Sequence, residues 1–187
     1  VVVATGCIER PLIFENNDRP GIMQGSCAHR LVQTYGLKPG TRAVFSTSHD
    51  LMLEAALDLV KAGVEVIAVA DSRSEGHDED IVSALREQKV NFLPGWVAVE
   101  ATGHQAVSGA RMAALSGGGS QSFACDLLVA SAGMAPAAAP LYLAKAKMEF
   151  DDLTGFFLPQ GLPSKVHAAG RILGLNDPQA IEVSGRL

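Results

Sequence analysis

The hydrophobic pattern of residues 41–73 predicts a strand, a helix and a second strand in succession. Residues 43–46 form a short apolar run with turn signals on both sides, as a buried strand does. The next apolar side chains recur at the i, i+3, i+4, i+7 spacing of a helix buried on one face: Leu53, Ala56, Leu57 and Val60. Gly63 is placed to stop this helix, and residues 64–70 are a β-branched apolar run typical of a parallel strand. The pattern therefore predicts a βαβ unit.

The chain beyond this unit supplies the elements expected around it. Residues 78–88 have the period of a second crossover helix, residues 90–93 predict a third parallel strand, and residues 126–130 a further apolar strand. Between them the alternation becomes twofold with turn signals between the runs, which predicts an antiparallel meander of residues 96–100, 105–114 and 121–124. We therefore predict a Rossmann-like three-layer α/β domain with a parallel sheet and an antiparallel β-meander.

The two flanks are less regular. Pro20-Gly21 predicts the start of a helix with Met23, Cys27 and Leu31 on its buried side. The later elements are expected to be a linker at 135–139, a helix at 139–146, a hairpin of residues 148–150 and 155–158 about a turn at 151–154, a strand at 166–170 and a helix from Asp177. An apolar strand at residues 1–4, with no methionine before it, leads us to expect a piece of a longer chain.

A βαβ unit places a helix N-terminus at the carboxyl edge of its first strand, where a dinucleotide pyrophosphate would lie. Asp71 ends the second strand close to the offset of ~20 residues expected for an acid on the adenosine ribose. The glycines of the usual fingerprint are absent, because Thr47, His49 and Met52 stand in their positions. The unit is thus either a nucleotide site or a βαβ unit that packs and binds nothing.

Composition narrows the function classes. A chain of 187 residues that is 48% apolar can bury a substantial core, and its net charge of −5 gives no reason to expect nucleic acid or an anionic membrane as a partner. Its three cysteines form no CxxC pair, and their odd number favours free thiols in the cytoplasm. Its five histidines lack metal-ligand spacing, so we expect no metal site. No apolar run approaches the ~18 residues of a membrane span.

Several motifs resemble the glutathione-reductase type of flavoprotein, in which an NAD(P) domain interrupts an FAD domain. These are VATG at residues 3–6, AGMAP at 132–136 and VHAAG at 166–170. More narrowly, ATGCIERP at 4–11, NNDRPGIM at 16–23 and AALDLVKAGVEV at 55–66 are similar to the α subunit of heterotetrameric sarcosine oxidase and its amine-oxidising relatives. The resemblance implies an NAD-binding domain at residues 21–134 and partial FAD-domain segments at 1–20 and 135–187.

The resemblance also implies a function and partners. The parent would be an FAD- and NAD-associated subunit of a complex that oxidises a secondary amine such as sarcosine, with the amine chemistry at or within a partner β subunit. The chain would then hold no catalytic residues of its own, would be inactive alone, would carry no FAD by itself and could dimerise. Two alternatives stay open: an NAD(P)H-dependent flavoprotein reductase of the same fold, and a non-binding scaffold that assembles a complex.

The resemblance assigns candidate cofactor residues. Residues 47–50, which are Thr47, Ser48, His49 and Asp50, would face the NAD pyrophosphate. Asp71 would bind the adenosine ribose and favour NAD over NADP, Gly133 would lie near the nicotinamide end, and Arg73 would be either a 2′-phosphate ligand or a solvated loop charge. Part of an FAD site would be lined by Thr5, Gly6 and Gly170. The family's Gly-Asp at the closing strand is Gly170-Arg171 here, and this arginine would bind phosphate or lie on the surface.

Overall fold

The structure is a computed structural model that describes residues 1–152 and 154–186. Its strands are β1 (Val2–Val3), β2 (Cys7–Glu9), β3 (Ile22–Met23), β4 (Arg42–Thr47), β5 (Glu65–Asp71), β6 (Asn91–Pro94), β7 (Trp96–Gly103), β8 (Val107–Ala114), β9 (Ser120–Phe123), β10 (Leu127–Ala130), β11 (Met134–Pro136), β12 (Lys147–Asp151), β13 (Phe156–Gly161) and β14 (His167–Ala168). Its helices are α1 (Gly25–Gln33), α2 (Asp50–Lys61), α3 (Glu79–Glu87), α4 (Ala139–Leu143) and α5 (Pro178–Ser184), with a 3₁₀ turn at Gly170–Leu173.

The chain divides into two compact units. Unit 1 combines Val1–Glu9 with Met134–Leu187, and unit 2 is the continuous segment Arg10–Gly133. Among the described residues, no helix is long and apolar enough to cross a membrane.

Unit 2 is built on a five-stranded parallel sheet in the order β3-β10-β4-β5-β6. Because successive side chains of a strand point to opposite faces, β4 contributes to two separate cores. Phe45 packs into the core shared with α1, α2 and α3, and Val44 packs into the core shared with the meander. The predicted three-layer α/β arrangement is thus confirmed.

The antiparallel meander of β7, β8 and β9 forms the third layer. Its inward side chains, including Ala98 and Met112, are buried against Ala68, Ala70 and Leu128 of the parallel sheet. Small side chains on the sheet leave room for this layer, which explains the alanine-rich run in β5.

The predicted start of the first helix is wrong. Ile22–Met23 is an edge strand that pairs in parallel with Leu128–Val129, and α1 begins only at Gly25 with Ala28 as its buried side chain. The reason is long-range pairing, which no local period reveals. Gly21 precedes the strand with φ +90°, a left-handed conformation outside any α-helix.

Unit 1 contains three small strand pairs and a small core. β1 pairs in parallel with β14, β2 with β11 in antiparallel fashion, and β12 with β13 as a hairpin. The hairpin agrees with the sequence pattern, although Leu153 in its turn lies outside the described residues. The core residues Val3, Leu141 and Ile172 come from both segments of unit 1. The helix α4 ends at Leu143, three residues before the end expected from the sequence, and Leu187 at the end of the chain is likewise not described.

Unit 2 begins and ends at adjacent backbone positions. The Arg10 N–H donates to the carbonyl of Gly133 at 2.9 Å, and the Ala132 N–H donates to the carbonyl of Arg10 at 2.9 Å. In unit 1, Glu9 of β2 is the register partner of Met134 of β11.

Candidate functional site

The turn between β4 and α2 is made without glycine. Thr47 is buried at the end of β4, and its Oγ1 accepts a hydrogen bond from the N–H of His49 at 3.3 Å. His49 is the N-cap of α2 with an extended backbone (φ −161°, ψ 155°), and none of residues 47–50 has a positive φ. A chain that turns in this way has no need of the left-handed freedom that glycine provides. Met52, at the third fingerprint position, is buried in the core of the helical layer.

A second polar pair joins the ends of β4 and β10. The Nε2 of His49 lies 3.0 Å from the Oγ of Ser131, a buried residue whose N–H donates to the carbonyl of Ser46 at 2.9 Å. Gly133 has φ +97°, and a Cβ there would lie 3.2 Å from the Oγ of Ser48. The structure therefore brings Ser48, His49 and Gly133 together at the carboxyl edge of the sheet. Sequence reasoning missed Ser131, whose signal was a polar residue directly after an apolar strand.

Asp71 ends the neighbouring strand, in register with Thr47. Its side chain is 0% exposed. Its Oδ1 accepts hydrogen bonds from the backbone N–H of Arg73 at 2.9 Å and from the Nε of Arg73 at 3.1 Å. Its Oδ2 accepts from the Nη2 of Arg73 at 2.8 Å, and the Nε2 of His77 lies 3.8 Å away. The carboxylate is thus buried and already paired on both oxygens.

The Arg73 guanidinium bridges Asp71 and Asp50. Its Nη2 donates to the Oδ1 of Asp50 at 2.8 Å, and its Nη1 donates to the Oδ2 of Asp50 at 3.3 Å and to the carbonyl of Gly76 at 3.2 Å. Together with the two bonds to Asp71, all five N–H groups of the guanidinium are used. We call Arg73 with Asp50 and Asp71 the Arg73 clamp.

The contacts of the clamp shift the pKa values of Asp50 and Arg73. Partial burial would raise the pKa of Asp50, but the hydrogen bonds and positive charge of Arg73 outweigh it and hold this pKa below its usual value. For Arg73, partial burial would lower the pKa, and the hydrogen bonds and charges of Asp71 and Asp50 raise it instead. Two carboxylates and one guanidinium leave one net negative charge beside the N-terminus of α2. Asp50 also suits the macrodipole there.

The loop after β5 is fixed around the clamp. The Nε2 of His77 is hydrogen-bonded to the carbonyl of Arg73 at 3.1 Å, and its buried ring meets that of Phe92 edge-on with centroids 5.0 Å apart. The same carbonyl accepts the N–H of Gly95 at 2.8 Å. The N–H of Asp78 donates to the Oδ1 of Asp50 at 3.3 Å. These contacts hold the backbone from which the Arg73 side chain extends.

The remaining candidate residues belong to unit 1. Gly6 and Gly170, with φ of +68° and +81°, line one shallow hollow. Thr5 adjoins Gly6 in the chain, and its Oγ1 donates to the carbonyl of Ala137 at 2.9 Å. Arg171 also lines this hollow, whose remaining lining is Ala4, Ala169, Pro178 and Ile181. The hollow is mostly apolar, with backbone groups and one arginine as its polar contributors.

Metal and thiol chemistry have no support in the described part of the chain. No group of three His, Cys, Asp or Glu residues there could hold a metal ion. Cys7, Cys27 and Cys125 are free thiols, and no CxxC sequence occurs. Burial raises the pKa of Cys125 to about 11, so its thiol is protonated at neutral pH.

Comparison with known proteins identifies similar sequences, although no family model matches. The chain is 32% identical to the sarcosine oxidase alpha subunit of Corynebacterium sp. (strain P-1) over 95% of its own length and 19% of that protein. It is 42% identical to the subunit of the same name from Rhizobium meliloti (strain 1021) over 38% of this chain and 7% of that one. It is 26% identical to an opine oxidase subunit from Agrobacterium tumefaciens (strain Ach5) over the whole chain and 42% of that protein. The resemblance drawn from the motifs is confirmed, and the chain spans about a fifth of the length of the first of these relatives.

Solved structures with the same fold are oxidoreductases. Thioredoxin reductase of T. acidophilum matches 99% of this chain and 61% of its own, with a TM-score of 0.77 and 16% identity. L-proline dehydrogenase of P. horikoshii matches 92% of this chain and 30% of its own, with a TM-score of 0.65 and 20% identity. At such identities the similarity shows the fold alone.

Proposed function

We propose that this chain is part of the FAD- and NAD-associated alpha subunit of a complex that oxidises a secondary amine such as sarcosine. The chain is homologous to a segment that makes up about a fifth of the length of a sarcosine oxidase alpha subunit. The observation that carries this proposal is the 32% identity over 95% of the chain. The names of these relatives contain the word subunit, which implies a multi-subunit enzyme. The identity of the amine, the site of its oxidation and the partner β subunit belong to the proposal.

Within that subunit, we assign residues 21–134 to an NAD-binding domain and residues 1–20 and 135–187 to segments of an FAD-binding domain. The parallel sheet of unit 2, with α2 following β4, supports the first assignment. The pairing of β1 with β14 supports the second for the two segments of unit 1, Val1–Glu9 and Met134–Leu187, whereas residues 10–20 belong to unit 2.

Donors and acceptors at the carboxyl edge of the unit 2 sheet support the proposal of a dinucleotide site there. Residues 47–50 would lie against the pyrophosphate at the α2 N-terminus, and the carboxylate of Asp71 would accept the ribose hydroxyls. Arg73 now donates two hydrogen bonds to that carboxylate, as a vicinal diol would. Gly133, which lies beside Ser48, would face the nicotinamide end. NAD supplies a hydride acceptor when it is bound.

The same geometry favours NAD over NADP. Asp50 and Asp71 are both negative, so they would repel a 2′-phosphate. Arg73, the cation nearest to them, already uses every N–H on carboxylate and carbonyl oxygens. In the closed clamp this side chain therefore offers no donor to a 2′-phosphate, and the preference for NAD rests on the two carboxylates.

For FAD, we propose that Thr5, Gly6 and Gly170 line part of a site in the complete subunit. The hollow shared by Gly6 and Gly170 supports this role. We do not expect the chain by itself to bind FAD, since the first glycine loop of an FAD domain is not in this sequence. We propose that the amine is oxidised in or against a partner β subunit, and that the complex is cytoplasmic because all three cysteines are free.

The test is to produce the complete subunit together with its partner subunits and to measure oxygen consumption with sarcosine. Sarcosine-dependent oxygen uptake that requires both subunits would support the proposal, and amine-independent NADPH oxidation would favour a reductase. For the chain alone, NAD at ~100 times its dissociation constant should stabilise the fold by ~2.7 kcal/mol.

A non-binding scaffold is the second candidate. The saturated guanidinium of Arg73 and the buried, paired carboxylate of Asp71 favour it, because both groups are satisfied within the chain. A scaffold of this kind would show no thermal shift at millimolar NAD, yet would still assemble with the partner subunits.

A further inference from the structure

We propose that the guanidinium of Arg73 is an internal competitor for the carboxylate of Asp71, so that NAD binds to unit 2 only after Arg73 has left this carboxylate. This inference rests on the proposed nucleotide function of the same edge of the sheet. It adds a contact by which the chain itself lowers its affinity for the ligand.

The carboxylate that would accept the ribose is buried and already hydrogen-bonded. The Asp71 side chain is fully buried, and each of its oxygens receives at least one hydrogen bond from Arg73. The carboxylate offers about four lone-pair sites, and the backbone N–H, the Nε and the Nη2 of Arg73 occupy three of them, so a ribose diol with two donors must displace the side chain. The two sets of donors therefore exclude one another.

Contacts beyond Asp71 also hold Arg73 in place. Besides Asp71, its guanidinium contacts Asp50 through both Nη atoms and the carbonyl of Gly76 through Nη1. Asp50 is the first residue of α2 and the last of the residues proposed for the pyrophosphate. The clamp thus ties together the ribose and pyrophosphate sides of the proposed site.

The clamp can open towards solvent. The Arg73 side chain is 26% exposed and that of Asp50 39% exposed, so the outer half of the clamp is accessible. Residues 74–76 of the same loop are exposed, and no atom lies within 4 Å of a Cβ built on Gly76. Arg73 can therefore swing outwards without unpacking the core.

The expected consequence is an apparent dissociation constant equal to the intrinsic constant divided by the fraction of molecules in which the clamp is open. Weakening the outer contact with Asp50 should increase the open fraction and leave Asp71 intact. An exposed ion pair contributes at most about a fivefold effect, so Asp50→Asn should tighten NAD binding by roughly threefold to fivefold. Removing the competitor in Arg73→Ala should tighten it by about tenfold or more, as expected for a more buried pair.

The experiment is a calorimetric titration of NAD into the 187-residue chain and its variants at constant salt. Glu54→Gln is the matched control, because it removes one negative charge from an exposed position one turn further along α2. We expect Arg73→Ala to bind NAD most tightly and Asp50→Asn to come next. The wild type and the Glu54→Gln control should bind NAD equally and most weakly. Circular dichroism establishes whether each variant is folded. If Arg73→Ala is unfolded, the comparison of Asp50→Asn with the wild type provides the test.

Each other outcome overturns the inference in a distinguishable way. Equal NAD binding by the wild type, Asp50→Asn and Arg73→Ala would leave the nucleotide site standing and remove the competitor. Weaker binding by Arg73→Ala would make Arg73 a ligand of the nucleotide. Equal tightening by Glu54→Gln and Asp50→Asn would assign the effect to net charge. If neither the wild type nor any variant binds millimolar NAD, the proposed nucleotide site itself fails.

Discussion

Replacing Arg73 by alanine should destabilise the chain strongly, because it strands a buried charge. The Asp71 side chain is 0% exposed, and after the substitution its carboxylate keeps the backbone N–H of residue 73, with the imidazole of His77 at 3.8 Å. Removing one partner of a buried ion pair lowers the free energy of unfolding by ~3–5 kcal/mol. Arg73 is itself 26% exposed, so we expect the lower end, about 3 kcal/mol.

The assay is chemical and thermal denaturation followed by circular dichroism. A loss of about 3 kcal/mol corresponds to a fall in Tm of roughly 6–12 °C for a chain of this size. Arg42→Ala is the matched control, since the ion pair between Arg42 and Glu65 is 48% and 65% exposed and contributes at most about 1 kcal/mol.

The reasoning would be refuted if Arg73→Ala and Arg42→Ala lowered the unfolding free energy by the same small amount. In that case the carboxylate of Asp71 would have to find water or another donor as soon as Arg73 is gone. Asp50→Asn provides an internal check. It removes the partly exposed partner, so it should weaken the fold less than Arg73→Ala does.

Three further outcomes are expected. Because the pKa of Asp50 is held below its usual 3.8, its contribution to stability is present above that pH and is lost as the pH falls through the lowered value. In urea denaturation the wild type should therefore keep its advantage over Asp50→Asn above pH 3.8 and lose it progressively below that pH. In the native chain a thiol reagent should modify exposed Cys27 quickly and buried Cys125 only on unfolding, which mass spectrometry at timed intervals can follow. Gly21→Ala should severely reduce the yield of soluble, folded protein, since its Cβ would lie 2.6 Å from a valine side-chain carbon. The control Gly117→Ala is also at positive φ but faces open space, so it should lower the unfolding free energy by only about 1 kcal/mol.

The βαβ unit and the meander could be predicted because their signals are local. The helical period of α2, the apolar run of β5 and the twofold alternation of β7 and β8 are each contained in a few consecutive residues. β3 could not be predicted in this way. Its two residues form a strand only because Leu128 and Val129, more than a hundred positions later, offer a free edge.

The candidate site was predictable in outline but not in its bonding. The positions of Thr47 and Asp71 at the ends of adjacent strands follow from the parallel register, which the sequence pattern implied. For Arg73, the sequence left a choice between a phosphate ligand and a solvated loop charge. In the structure its guanidinium is saturated by Asp50, Asp71 and a carbonyl. Such a bridge depends on side-chain geometry across two loops, which no residue pattern encodes.

The adjacency of Arg10 and Gly133 makes unit 2 a cassette. Its first and last residues are hydrogen-bonded neighbours, and the residues just outside them, Glu9 and Met134, face each other in an antiparallel pair. A two-residue Asn-Gly turn has the geometry to close such a pair. The whole of residues 10–133 could therefore be exchanged for a short turn, or for the corresponding segment of a related protein, without altering the strand register of the host. A mutation confined to the cassette can in the same way change the proposed nucleotide site while the flanking strands keep their pairing.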